Sequence, residues 1–157
     1  MLDSKVMHKA ISSVSIFIIF LIFQCFLIKF AYSNSVKIDL NIENPDKFTD
    51  LHIIIEGYDK KFLFQNRNIP LVRHEIPVNE IEKIINIQLP SYTYIGFFVY
   101  VDLNKDKKFN FDFKKDPIEP YGFSLNPNKK YKEVEFEDIV MDIKVNQEPL
   151  KIKIIFK

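Results

Sequence analysis

Strict alternation of apolar and polar residues is what most limits the folds open to this chain. Val36, Ile38, Leu40 and Ile42 alternate with Lys37, Asp39, Asn41 and Glu43, the period-two pattern of a strand with one face buried and one wet. The far end repeats it, with Ile152, Ile154 and Phe156 on a face opposite Lys151 and Lys153. Leu51–Glu56 reads as another strand, closed by Gly57. Phe62–Phe64 and Leu71–Ile76 read as shorter ones, bounded by Pro70 and Pro77. Ile81–Leu89 suits either period; Pro90 ends it, and a strand is the expectation. Tyr92–Val101 is apolar or aromatic on both faces, as in a central strand covered on both sides. Its Gly96 marks a place where a bulky neighbour packs against the backbone. Glu133–Glu137, with Val134 and Phe136 inward, Ile139–Val145 and Leu150–Phe156 complete the set. The eight prolines fall mostly where strands begin or end, as antiparallel sheets require. The expectation is an all-β antiparallel sandwich of about seven strands, of immunoglobulin or transthyretin type.

Residues 1–33 obey different rules. Lys5 and Lys9 precede Ala10–Ile28, an apolar run without a charge, and Ala31 and Ser33 then offer small residues at a signal-peptidase spacing. The run also approaches the about 20 residues that span a bilayer. The segment 1–33 therefore reads as a signal peptide or an N-terminal membrane anchor, and 34–157 as a single domain. Either way the lysines hold the N-terminus inside. The domain is expected outside the cytoplasm: periplasmic, secreted, or membrane-anchored and facing away from it, with membrane contact only through an uncleaved leader. The only cysteine, Cys25, lies in the apolar run behind Gln24, a poor fit to lipoprotein processing. Disulfides, thiol catalysis and cysteine-bound metals are thereby excluded from the domain. With 22 basic against 21 acidic residues in the whole chain, there is no basic field for nucleic acid.

Chemistry concentrates in Tyr100–Asn126. Asp102, Asn104 and Asp106 recur at every second position, as hard divalent cations favour on a tightly turned loop. Aligned to a calcium loop they fill the first, third and fifth ligand positions. The Lys108 carbonyl fills the seventh, and Asn110 the ninth, with Phe109 pinning the loop to the core. Two positions depart from that pattern. The sixth, normally a glycine with positive φ, is Lys107, and the twelfth, normally an acid, is Phe113, with Asp112 one residue earlier. Calcium is thus the candidate cofactor. The competing reading is a polar hairpin loop whose Asp and Asn side chains satisfy their own backbone.

The run VYVDLNKDKKFN followed by DPIEPYGFSLN resembles the signature of a family of small exported bacterial proteins, domain of unknown function 2141. That signature is approximately H-D-x-N-x-N-G-x-L-D and then P-x-E-x-Y-G-F-S-N. Asp102, Asn104, Pro117, Glu119, Tyr121, Gly122, Phe123 and Ser124 fall on matching positions. Asp106 and Asn110 exchange acid and amide, Phe109 replaces leucine, Asn126 comes one residue late, and Val101 and Lys107 replace the histidine and glycine. The resemblance implies an exported β-sandwich, and no activity.

In the second half of the signature, Gly122 is one of only three glycines, which points to a backbone need that no side chain tolerates. Tyr121 and Phe123 are expected on opposite sides of an extended segment, one in the core and one over the loop. Glu119 is within reach of a loop lysine or of an ion. Together Glu119, Tyr121, Gly122, Phe123 and Ser124 read as a latch fixing a long connection to the sandwich, or else as a partner-binding surface. His52 and His74 stand outside metal-ligand spacings. Three glycines could not build a nucleophile elbow or a phosphate loop, so no catalytic residue is assigned. The leading expectation is a non-enzymatic envelope module binding an unknown protein or surface glycan. The alternatives are an envelope-polymer hydrolase using Asp102 and Glu119, and a structural subunit of an envelope assembly.

Overall fold

Alternation becomes sheet wherever a second sheet stands ready to cover the apolar face. The computed structural model describes residues 34–42, 45–67, 69–81, 84–90, 94–143 and 148–155; the leader expected over 1–33 lies outside the described residues. The strands are β1 (Asn34–Ile42), β2 (His52–Tyr58), β3 (Val72–Pro77), β4 (Ile85–Leu89), β5 (Tyr94–Asp102), β6 (Tyr121–Phe123), β7 (Val140–Asp142) and β8 (Leu150–Ile154). One sheet runs β4-β1-β8; the other runs β3-β2-β5-β6, with β7 also on β5. Val36, Ile38, Ile87 and Ile152 of the small sheet pack in one core with Ile53, Ile55, Phe97, Val99 and Val101 of the large one. The result is an all-β sandwich. Among the described residues no helix is long and apolar enough to cross a membrane.

One pairing departs from the antiparallel expectation: β1 and β8 run parallel, Ile38 opposite Leu150 and Ile42 opposite Ile154. Parallel neighbours need a long crossover, and here everything between the first and last strands supplies it.

The large sheet is covered on its outer face too. Ile54, Tyr58, Phe98, Tyr100, Tyr121 and Phe123 form a second, aromatic cluster with Phe64 and Ile139. This explains why β5 reads as apolar on both faces. Two expected strands become the cover instead. Phe62–Phe64 lies in the short helix α1 (Lys61–Gln65), which buries Phe64 edge-on to Tyr58, centroids 5.7 Å apart. Glu133–Glu137 is broken into 3-10 turns, Tyr131–Glu133 and Phe136–Asp138. There the Glu133 and Asp138 carboxylates fold back to accept the Lys130 and Glu135 backbone N–H at 3.2 and 2.9 Å, a local alternative to strand pairing. Gly57 lies inside β2 rather than closing it. The strand expected from Ile81 begins at Ile85, after a 3-10 turn at Val78–Glu80. At Gly96 a Cβ would sit 2.7 Å from Ile139 Cγ1, so Ile139 is the bulky neighbour.

Candidate functional site

The loop after β5 is braced by its own side chains. Asp102, 2% exposed, accepts the Asp106 N–H at Oδ1 (3.2 Å) and the Lys107 N–H at Oδ2 (2.8 Å). Asn104 Oδ1 also takes the Asp106 N–H, and Asp106 Oδ1 takes the Lys108 N–H at 2.8 Å. The Asn110 amide donates to Asp106 Oδ2 at 3.0 Å; this amide, with the Lys108 N–H, holds the Asp106 carboxyl below its ordinary range. Across the loop base, Glu119 accepts the Leu103 N–H at Oε1 and the Asn110 N–H at Oε2, each at 3.0 Å. Burial pushes the Glu119 carboxyl up and these two N–H groups pull it back, while Asp102 and Asp106 add to the rise.

Tight turning puts Lys105 and Lys107 both at φ 63, the region a side chain resists. Lys107 thus stands in a glycine conformation at the position where the calcium-loop pattern has glycine. Its ammonium pairs with Glu75 at 2.9 Å, a partly exposed pair of small worth. Lys107→Gly relieves backbone strain of about 1 kcal/mol and loses that pair, so the urea midpoint should rise by the equivalent of about 0.5 kcal/mol.

A second bracket comes from the large sheet. Arg73 on β3 donates from Nη1 to Glu56 of β2, and from Nη2 to the Lys107 carbonyl and the Tyr100 hydroxyl. Tyr58 donates to the other Glu56 oxygen at 2.7 Å. Burial beside the Glu56 carboxylate pushes both the Tyr58 and Tyr100 phenols well up.

Asp102, Asn104, Asp106 and Asn110 are thereby linked in one hydrogen-bonded group. Asp112 is not part of it; its Oδ1 accepts the Lys114 and Asp116 N–H of its own turn, at 2.9 and 2.8 Å. The carbonyl engaged by Arg73 is that of Lys107, whereas Lys108 contributes its N–H. Among the described residues no three His, Cys, Asp or Glu side chains are grouped to hold a metal, so a cation here would need amide and backbone oxygens beside the Asp102 and Asp106 carboxylates. Asn110 Oδ1, at the ninth position, is buried without a hydrogen-bond partner.

The second half of the signature is buried: Glu119 at 3%, Tyr121 at 8%, Phe123 at 4% and Ser124 at 0%. Tyr121 and Phe123 do not point to opposite sides. Residues two apart on a strand share a face, and both rings enter the aromatic cluster, centroids 5.7 Å apart. Gly122 faces the other way, onto β8. Ser124 Oγ accepts the Phe97 N–H at 2.9 Å and donates to the Ile139 carbonyl, tying the segment to the sheet. The residues missed from sequence are Glu56, Arg67, Arg73 and Tyr100; the available signal was that Arg67 and Arg73 are the only arginines among 22 basic residues.

The profile of a family described as "Uncharacterized protein conserved in bacteria (DUF2141)" matches residues 30–151. The chain belongs to the DUF2141 family. Both halves of the signature lie inside the matched DUF2141 region. No curated protein and no solved structure matches the chain.

Proposed function

We propose that this DUF2141 chain is an exported, non-enzymatic sandwich module of immunoglobulin or transthyretin type, carried out of the cytoplasm by residues 1–33 as signal or anchor. It binds a protein or surface glycan of the cell envelope through the loop end. The observation behind this reading is a turn, braced by Asp112, that holds Phe113 (91% exposed) in water. Apolar side chains displayed on a rigid backbone lose little freedom on binding, and loops on a rigid scaffold are the usual site of recognition. The test compares wild type with Phe113→Ala on glycan arrays and in pull-downs from envelope extract. Melting should be unchanged within about 0.5 kcal/mol, while a partner of the wild type is lost. A variant that keeps every partner overturns the reading.

The hydrolase alternative needs a raised carboxyl and a free one at a common cleft. Glu119 is raised, but all four oxygens of Asp102 and Glu119 already accept backbone N–H groups, which favours bracing over proton transfer. The structural-subunit alternative is separated by co-purification with membranes.

Calcium in the Asp102–Asn110 loop is a second reading, favoured by the orphaned Asn110 Oδ1. On this reading millimolar calcium raises the melting temperature above that in chelator, and Asn110→Ala abolishes the difference. At one hundred times the dissociation constant the gain is about 2.7 kcal/mol. Coincident curves leave the loop's own hydrogen bonds as its fastening.

A further inference from the structure

Lysine supplies almost all of this chain's positive charge, yet its only two arginines line one pocket. The pocket, of about 280 Å³, lies between the loop and the outer face of the large sheet. Arginine is kept where a planar fork of donors or a stacking surface is needed. Arg67, in the turn after α1, has φ 46. Its guanidinium carbon lies 4.0 Å from the Phe64 ring centre and 4.3 Å from that of Phe98. Its Nε donates to the Tyr131 hydroxyl at 3.0 Å, but its Nη1 is buried without a partner.

Charge in the pocket does not balance. Glu56 answers Arg73, and Glu75 answers Lys107. Among the described residues no carboxylate pairs with Arg67, and Lys108 adds a further cation to the lining. Aromatic faces offset part of the cost of a desolvated guanidinium; an anion offsets more. Phe109 and Phe111 supply an apolar wall.

We propose that this pocket binds a small organic carboxylate, with its oxygens toward Arg67 and Arg73 and its body against Phe109 and Phe111. A carboxylate rather than phosphate is specified because a dianion must shed more hydration to reach a guanidinium packed between two aromatic rings. The organic body is specified by the two rings. The site does not depend on the partner proposed for Phe113, so either reading can fail alone.

Calorimetric titration of the full chain in detergent tests it, with benzoate, glucuronate and inorganic phosphate as probes. Saturable binding of at least one carboxylate is expected, with phosphate at least about ten-fold weaker. Arg67→Leu should weaken the carboxylate about ten-fold or more, and Phe111→Ala about three-fold. The Phe113→Ala protein should bind as wild type. Should Arg67→Leu unfold, the half-exposed Phe111→Ala variant decides alone. The proposal is overturned if neither carboxylate binds, if phosphate binds equally well, or if the folded variants titrate like wild type.

Discussion

Gly122→Ala should destabilise the domain by about 3 kcal/mol or more, the largest effect expected of any single methyl in this chain. The cause is backbone against backbone. Tyr121 and Ile155 exchange both of their N–H···O bonds, at 3.2 and 2.7 Å, so β6 lies against the end of β8 as well as against β5. A Cβ on Gly122 would fall within van der Waals contact of the Lys153 carbonyl oxygen and 3.0 Å from Ile152 Cγ2. A flexible side chain could step aside, but a carbonyl in a paired strand cannot. Urea unfolding of Gly122→Ala beside Gly57→Ala is the measurement. At Gly57 the neighbours are the side chains of Val72, Ile95 and Phe97, which can shift, so the milder loss belongs there. Equal losses would mean that β6 and β8 part easily, contrary to the register described.

Arg73→Met should cost about 3 kcal/mol and loosen the loop as well as the sheet. It leaves the Glu56 carboxylate, 6% exposed, with only the Tyr58 hydroxyl, and the Lys107 carbonyl with only the Tyr100 hydroxyl. Hydrogen exchange should therefore accelerate at Asp106, Lys107 and Lys108 beyond what global stability accounts for. Adding Glu56→Gln should recover part of the loss, because the buried charge goes with its partner. A stability loss without faster loop exchange would show that Arg73 serves the sheet alone.

The inner core was legible because alternation is a local property: Ile53, Ile55, Val99 and Val101 declare their face within one strand. The second, outer core was not. Phe64 and Phe136 look like strand residues by neighbourhood, but what they cover is the aromatic outer face of the large sheet, a relation fixed only in three dimensions. The loop was legible as a unit because Asp102, Asn104 and Asp106 bond to N–H groups two to five residues away. Its tie to the sheet was invisible, since Arg73 lies 34 residues from Lys107 and carries no spacing signal. Placing Tyr121 and Phe123 on opposite sides misapplied the period of a strand, not the nature of the residues.

The parallel seam between β1 and β8 has a consequence for timing. The central strand of the small sheet has β4 on one flank and, on the other, a segment separated from it by nearly the whole domain. Closing so wide a loop must precede the contacts that reward it. The two halves therefore cannot seal until the final strand is free to dock, and maturation should take milliseconds to seconds, set by topology more than by local preference.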